Sequence, residues 1–163
     1  MKFKLIKLLE EEGILKYGNF TLRSGLTSNY YCDIKLALGN PKLLKLLSAE
    51  LVKIVPKNVT AIAGSGYGGI SLATLVAYNL SLPLTLVRDV EKVYGTKKTI
   101  DGYVPTKNDL VCIVDDVFTT GSSIKTSKSN LKSTKCKFAK PLVVINRTNK
   151  KMVLSLMHTS DLG

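Results

Sequence analysis

The spacing of apolar residues along this chain predicts helices and strands in alternation. Apolar positions three and four apart predict amphipathic helices at 3–12 and 41–54, the first ended by Gly13 and the second capped by Asn40 ahead of Pro41. Further helices are predicted at about 70–79 and 122–131, and short apolar runs predict buried strands at 59–63, 84–87, 110–114 and 138–146. The segment 20–34 is rich in turn residues and aromatics. This alternation indicates an α/β fold with a central, mostly parallel sheet flanked by helices.

One stretch joins a predicted strand to a polar loop. The apolar run 111–114 ends in Asp115 and Asp116, and the segment Thr119-Thr120-Gly121-Ser122-Ser123 follows shortly afterwards. Ligands of open α/β sheets bind beyond the carboxyl ends of such strands. Two carboxylates can accept hydrogen bonds from a sugar diol, whereas hydroxyls and backbone N–H groups at a helix N-terminus suit a phosphate. The stretch therefore predicts a site for a ribose phosphate.

Composition narrows the classes of protein to which this chain can belong. At 163 residues we expect a single domain. No uncharged apolar run is long enough to span a bilayer and the first residues do not resemble a signal peptide, so a cytoplasmic protein without a membrane partner is expected. Three widely spaced cysteines fit neither a disulfide framework nor a zinc cluster and are expected to be reduced thiols, namely Cys32, Cys112 and Cys136.

Basic residues dominate the charge, at a net +12. Such a charge attracts nucleic acid or phosphorylated metabolites, but the lysines are dispersed along the chain, which favours a solvated surface and makes a nucleic-acid partner the weaker interpretation. Only three of the 24 basic residues are arginines, at Arg23, Arg88 and Arg147. Because Arg binds carboxylate and phosphate in a two-point geometry that Lys cannot copy, these positions are candidate anion contacts.

Two further segments allow more than one interpretation. The run Gly64-Ser65-Gly66-Tyr67-Gly68-Gly69 contains the G-x-G-x-x-G pattern of dinucleotide-binding folds, but Asp89 is only a loose match to the acidic residue that those folds require. The favoured interpretation is a glycine-rich turn that lets the backbone approach a phosphate. The charged segment 88–102 is long for a connector, and it is predicted to be a lid, a solvated hairpin arm, or both.

Taken together, these stretches resemble type I phosphoribosyltransferases, and orotate phosphoribosyltransferases in particular. The segment 111–123 is similar to the superfamily's signature for 5-phosphoribosyl 1-diphosphate (PRPP). The segments 20–33, 63–70 and 88–102 resemble, in order, the substrate segment, diphosphate loop and catalytic lid of the orotate enzymes. Ile145-Asn146-Arg147 resembles their orotate-binding strand end, and Ser155-Leu156 with Ser160-Asp161-Leu162 resembles their C-terminal segment. The resemblance implies a hood formed by residues 1–36 and the C-terminal segment.

The resemblance also implies a role for each candidate residue. Phosphoribosyl transfer from PRPP to orotate would give orotidine 5′-monophosphate and diphosphate. The residues implied in catalysis are Arg88, Lys92, Asp115 and Asp116. Those implied in PRPP binding are these four together with Tyr67, Gly68, Gly69, Tyr94, Val117, Phe118, Thr119, Thr120, Gly121, Ser122 and Ser123. Those implied in orotate binding are Arg23, Tyr31, Cys32, Thr119 and Arg147.

Magnesium is the implied cofactor, and it would be held mainly by PRPP oxygens with no direct protein ligand. The implied assembly is a homodimer whose lid reaches the neighbouring site.

The sequence departs from the family at three positions. Asp89 stands where a loop Lys is usual, Tyr94 stands where a His is common, and Asn146 stands where an Asp is frequent. Two alternatives remain at this point. One is a phosphoribosyltransferase for a purine base, and the other is a non-catalytic, PRPP-sensing regulator that binds nucleic acid.

Overall fold

The computed structural model describes residues 2–21, 25, 27–88, 99–148 and 150–162. The α-helices are α1 (Lys2–Glu11), α2 (Pro41–Ile54), α3 (Gly66–Leu80) and α4 (Ser122–Asn130). The strands are β1 (Leu15–Thr21), β2 (Thr27–Cys32), β3 (Ala61–Ser65), β4 (Leu84–Val87), β5 (Ile100–Gly102), β6 (Leu110–Phe118), β7 (Lys137–Phe138), β8 (Leu142–Asn146) and β9 (Leu154–His158). Short 3-10 helices occupy Ile34–Gly39, Lys132–Thr134 and Thr159–Asp161.

The central sheet places its strands in the order β5-β4-β3-β6-β8-β9, with β7 paired to the beginning of β6. Every pairing in this sheet is parallel except that of β4 with β5, which confirms the predicted α/β class. From β3 the chain passes through α3 to β4 on one side, whereas β6 lies on the other side of β3 and leads on to β8. The winding direction therefore reverses between β3 and β6, and such a reversal opens a ligand crevice at the carboxyl ends of the two strands.

A two-stranded antiparallel hairpin, β1 with β2, begins before the segment 20–34, which the sequence showed only as turn-rich, and continues into it. The strands were not predicted because the burial pattern does not alternate cleanly: Tyr30 is the buried residue of β2, and the register shifts between Tyr17 and Phe20. Tyr30 shares one apolar cluster with Leu9 of α1, Leu47 of α2 and residues of the sheet. The hairpin is thereby packed onto the same core as the sheet.

The helix boundaries follow local rules of capping. Gly13, which follows α1, has a φ of +65°, as expected for a glycine that ends a helix. The side chain of Asn40 accepts hydrogen bonds from the backbone N–H groups of Lys42 and Leu43, both at 3.1 Å, and Pro41 occupies the first turn of α2. Within the described residues, no helix is long and apolar enough to cross a membrane.

Four predicted boundaries were wrong, and one of them is a shift of the strand expected at 59–63 to Ala61–Ser65. The apolar run 138–146 is two strands because Pro141 has no N–H to donate to a strand ladder. Helix α3 begins at Gly66 instead of near residue 70, since packing overrides the low helix propensity of the glycines. Strand β6 continues past Val114 to Phe118 because β8 pairs with its second half.

Asp109 anchors the loop that leads into β6. Its carboxylate accepts hydrogen bonds from the Thr60 hydroxyl at 2.8 Å, the Thr106 backbone N–H at 2.7 Å and the Tyr103 hydroxyl at 3.0 Å. The Thr106 N–H lowers the pKa of Asp109 most, burial opposes the shift, and the hydroxyls lower the pKa further. A carboxylate with a lowered folded-state pKa stabilises the fold above its unfolded-state pKa, and this contribution is lost as the pH falls through the folded-state value.

We expect Asp109→Asn to lower the free energy of unfolding at pH 7 by about 2 kcal/mol, because hydrogen bonds to a charged acceptor are among the strongest. The difference from wild type should shrink once the pH drops below about 4, where the unfolded-state carboxyl protonates. Urea unfolding at pH 7 and pH 3.5 measures both values. Lys107→Gln, at a neighbouring exposed position, is the control, and an Asp109→Asn effect that does not depend on pH would contradict the assignment.

Candidate active site

The acid pair lies at the reversal of winding between β3 and β6. Asp115 and Asp116 are half-buried in the second half of β6, next to the start of α3. The backbone N–H of Asp116 donates to Asp115 Oδ1 at 2.9 Å, and the N–H of Val117 donates to Asp116 Oδ1 at 2.8 Å. Each carboxylate is therefore oriented by the backbone at the ligand-binding edge of the sheet.

Two glycines bring the N-terminus of α3 against this pair. A Cβ on Gly68 would lie 2.7 Å from Asp116 Cγ, and one on Gly69 would lie 3.0 Å from the Val114 carbonyl oxygen and 3.3 Å from Asp115 Oδ1. Any side chain at Gly68 would therefore force either the Asp116 carboxylate or the start of α3 to move. The glycine run therefore functions as a close-approach element, and the partial positive charge of the helix N-terminus lies beside the two acids.

A buried pair of hydroxyls joins the residue before α3 to the second half of α4. Ser65, the residue before α3, makes no side-chain capping bond to its helix, and its Oγ lies 3.0 Å from Ser127 Oγ of α4. Backbone N–H groups at the first turn of α3 are thus left without a side-chain cap from Ser65. This arrangement suits a bound anion such as diphosphate.

The loop that follows β6 places a second set of anion-binding groups. Gly121 has a φ of +77°, and a Cβ there would lie 2.8 Å from the Phe118 ring, so the turn into α4 requires glycine. The Ser122 N–H donates to Thr120 Oγ1 at 3.3 Å. The exposed hydroxyls of this loop surround a helix N-terminus and belong to Thr119, Thr120, Ser122 and Ser123.

Arg147 follows β8 and is held close to the end of β6. Its backbone N–H donates to the Phe118 carbonyl oxygen at 2.8 Å. Its side chain donates from Nη2 to Ser28 Oγ at 2.7 Å, and the guanidinium carbon lies 4.5 Å from the centre of the Tyr30 ring. Both partners are on β2, so the hairpin closes one side of the crevice over Arg147.

Cys32 belongs to the same neighbourhood. Burial raises the pKa of its thiol to about 12; the charge of Asp33 adds to the shift, Arg147 opposes it and Asp116 adds to it. The thiol is therefore protonated at neutral pH and is not a nucleophile. The adjacent Tyr31 is exposed and stacks in a tilted arrangement on Phe20, with ring centres 5.6 Å apart.

Arg88 follows β4 and is engaged by neighbouring residues of the fold. Its guanidinium forms an ion pair with Asp101, with Nε 2.6 Å from Oδ2, and the Asn130 side chain donates to its carbonyl oxygen at 2.7 Å. Asp101 lies on β5, so this pair joins the two strands that flank the segment 89–98. The sequence predicted that Arg88 binds an anion, but it did not predict the ion pair with Asp101.

No protein-family model matches the chain. The orotate phosphoribosyltransferase of Methanocaldococcus jannaschii is 39% identical to it over 146 residues, covering 90% of this chain and 82% of the relative. This chain belongs to the orotate phosphoribosyltransferase family. The family member from Pyrococcus horikoshii is 43% identical over 128 residues, covering 76% and 68% of the two chains. A crystal structure of the Aeropyrum pernix orotate phosphoribosyltransferase shares 26% identity and superposes with a TM-score of 0.78, over 97% of this chain and 95% of that one.

Several of the residues that the family resemblance implied lie along one edge of the sheet in the described part of the chain. Gly68 and Gly69 contact the acid pair, Phe118 bonds to the Arg147 backbone, and Cys32 is near both Asp116 and Arg147. Tyr67, at the same helix start, is 88% exposed. The candidates Arg23, Lys92 and Tyr94 lie outside the described residues, and the roles of all the candidate residues stay predictions.

Sequence reasoning quoted Ser28 and Tyr30 within a motif but gave neither a role, and it did not include Thr159. The structure joins these residues to Arg147 and to one another. Ser28 and Tyr30 are two residues apart, and in a strand this spacing places both side chains on the same face. The spacing could have indicated a shared contact only if the strand β2 had been predicted.

Proposed function

We propose that the chain transfers the 5-phosphoribosyl group of PRPP to orotate, giving orotidine 5′-monophosphate and diphosphate. In this reaction the bond from ribose C1 to the diphosphate oxygen breaks, a bond from C1 to a ring nitrogen of orotate forms, and the proton of that nitrogen is released. The observation that supports it most is the acid pair at the reversal of winding, with an uncapped α3 on one side and the hydroxyl loop of α4 on the other. Membership of the orotate phosphoribosyltransferase family supports the same choice of base.

Positive charge develops on the ribose as the diphosphate departs. Asp115 and Asp116 bind the ribose hydroxyls and stabilise that charge from positions fixed by backbone hydrogen bonds. The loop 119–123 holds the 5-phosphate at the N-terminus of α4, and the start of α3 receives the diphosphate. Arg147 binds the carboxylate of orotate, in the two-point geometry that guanidinium offers.

The described residues contain no group of three or more His, Cys, Asp or Glu side chains that could by itself hold a metal ion. Magnesium keeps water and substrate phosphate oxygens among its ligands and needs few protein carboxylates. The site therefore fits a magnesium ion held mainly by PRPP, with Asp115 and Asp116 as the neighbouring carboxylates. When bound, the ion neutralises charge on the diphosphate.

The first experiment follows orotate absorbance with PRPP and Mg²⁺ for the wild type and Lys92→Ala. We propose that Lys92 and Arg88 neutralise the departing diphosphate, so Lys92→Ala should reduce kcat by about 100-fold, the usual effect of removing one stabilising group from a transition state. Lys107→Gln is the control. Turnover of adenine or hypoxanthine in place of orotate would favour the purine enzyme, and tight DNA binding without diphosphate release would favour the regulator.

We also propose a homodimer in which the segment 88–102 of one subunit completes the partner's site. Mixing Lys92→Ala subunits with Asp116→Asn subunits, each of which should retain about 1% of the wild-type kcat or less, tests this arrangement. A heterodimer would contain one intact site served by one intact lid, so activity should return to about a quarter of wild type after subunit exchange. No recovery, with light scattering showing exchanged dimers, would mean that each lid serves its own subunit.

A further inference from the structure

The guanidinium of Arg147 is held from two sides by one strand. Nη2 donates to Ser28 Oγ at 2.7 Å, and the guanidinium carbon lies 4.5 Å from the centre of the Tyr30 ring. An Arg side chain has four rotatable bonds, and holding it in one geometry before the ligand arrives reduces the entropy lost on binding. These two contacts fix both the edge and the face of the planar group.

The Ser28 hydroxyl donates one hydrogen bond within β2 and accepts another from Arg147. It donates its proton to the Tyr30 carbonyl oxygen at 2.7 Å, so its oxygen presents lone pairs to Arg147. Since a hydroxyl has one proton and guanidinium only donates, the direction of each hydrogen bond is determined. Ser28 therefore acts as a specific acceptor for Arg147.

Tyr30 is fixed at both ends. Its backbone belongs to β2, its side chain is only 2% exposed, and its hydroxyl lies 3.0 Å from Thr159 Oγ1. Thr159 begins the 3-10 turn in which the Asp161 carboxylate accepts the His158 N–H at 2.7 Å. The ring that faces Arg147 is consequently held between the hairpin and the C-terminal turn.

We propose that Ser28 and Tyr30 are positioning residues that hold Arg147 ready for the carboxylate of the base and thereby set the KM for orotate. This inference rests on the proposed function, in which Arg147 binds orotate. The acid pair and the phosphate loop do not depend on these contacts, so the KM for PRPP should change little. A merely structural role would instead lower the amount of folded enzyme without separating the two KM values.

Steady-state kinetics with orotate and PRPP varied separately test the inference. Ser28→Ala should raise the KM for orotate about tenfold, because it removes an acceptor from a charged donor. Ser28→Thr keeps the hydroxyl and should recover most of the loss. Tyr30→Phe keeps the ring face but loses the Thr159 contact that helps to hold the ring, so it should raise the KM for orotate less than Tyr30→Leu does. Tyr30→Leu also loses the cation–π contact and should raise the KM for orotate about three- to tenfold.

Ser129→Ala, at an exposed position of α4, is the matched control, and thermal melting checks that each variant is folded. In an Arg147→Lys background the Ser28→Ala change should have little further effect, since the two residues act through one contact. Equal changes in both KM values, or a Ser28→Ala enzyme with an unchanged KM for orotate, would overturn the inference. A wild-type enzyme that does not consume orotate would overturn the proposed function instead, which keeps the two failures distinct.

Discussion

Replacing Asp116 by Asn should reduce kcat with orotate and PRPP by about 100-fold or more, as removal of a preorganised group that stabilises developing charge does in other enzymes. The amide preserves the shape of the side chain and can still accept the Val117 N–H, which donates to Asp116 Oδ1 at 2.8 Å. What is lost is the negative charge beside ribose C1. Asp115→Asn should have an effect of similar size, and the double variant should lose little more, because neighbouring groups of one site act as a unit.

The same variants should be at least as stable as the wild type. Two adjacent carboxylates on a half-buried strand end repel each other, so neutralising one relieves unfavourable charge. Thermal melting alongside the kinetic measurement separates the two effects. Wild-type kinetics in a folded Asp116→Asn protein would remove the acid pair from the mechanism, whereas loss of activity with loss of the folded state would leave Asp116 only a structural role.

The second large loss of activity is expected from Gly68→Ala. The added Cβ would lie 2.7 Å from Asp116 Cγ and 3.1 Å from its Cβ, so either the carboxylate or the start of α3 must move. We expect kcat to fall by about 100-fold, because a displacement of about 1 Å in an active site has effects of that order. In the helix itself Ala is preferred to Gly, which limits the loss of stability to the cost of local overpacking, about 1–3 kcal/mol.

Gly39→Ala is the matched control for this experiment, since a Cβ at Gly39 meets no atom within 4 Å and its φ is not positive. Its kinetics should match those of the wild type. A crystal structure of Gly68→Ala with PRPP would show whether Asp116 or α3 has moved. Full activity in Gly68→Ala would mean that the close approach of α3 to the acid pair has no catalytic importance.

Much of the fold could be predicted from local pattern. The helix at Pro41–Ile54 was predicted with its observed bounds because a capping Asn, a first-turn Pro and apolar spacing agree there. The strand at Leu84–Val87 was equally clear. The β1–β2 hairpin was missed because its apolar residues do not alternate, and the strand β9 was missed because its pairing with β8 is a long-range contact that local sequence does not express.

Part of the candidate site could likewise be predicted from local sequence, and part of it could not. Asp115, Asp116 and the hydroxyl loop were predicted because one continuous segment carries both the carboxylates and the phosphate-binding groups. Arg147 was predicted as an isolated Arg in a Lys-rich chain and through the family resemblance. Its partners on β2 were not assigned roles, since Ser28 lies 119 residues from Arg147 along the chain.

Local residue patterns were enough to predict the α/β class, the chemistry of the acid pair and the family that the chain resembles, because each of these is carried by short segments whose residue types have a direct physical meaning. The contacts between distant functional groups come from the tertiary structure. It placed Gly68 against Asp116, paired Arg88 with Asp101 and enclosed Arg147 between Ser28 and Tyr30. These contacts depend on strand order and packing, which arise from the burial of the whole apolar core and are encoded in no single segment.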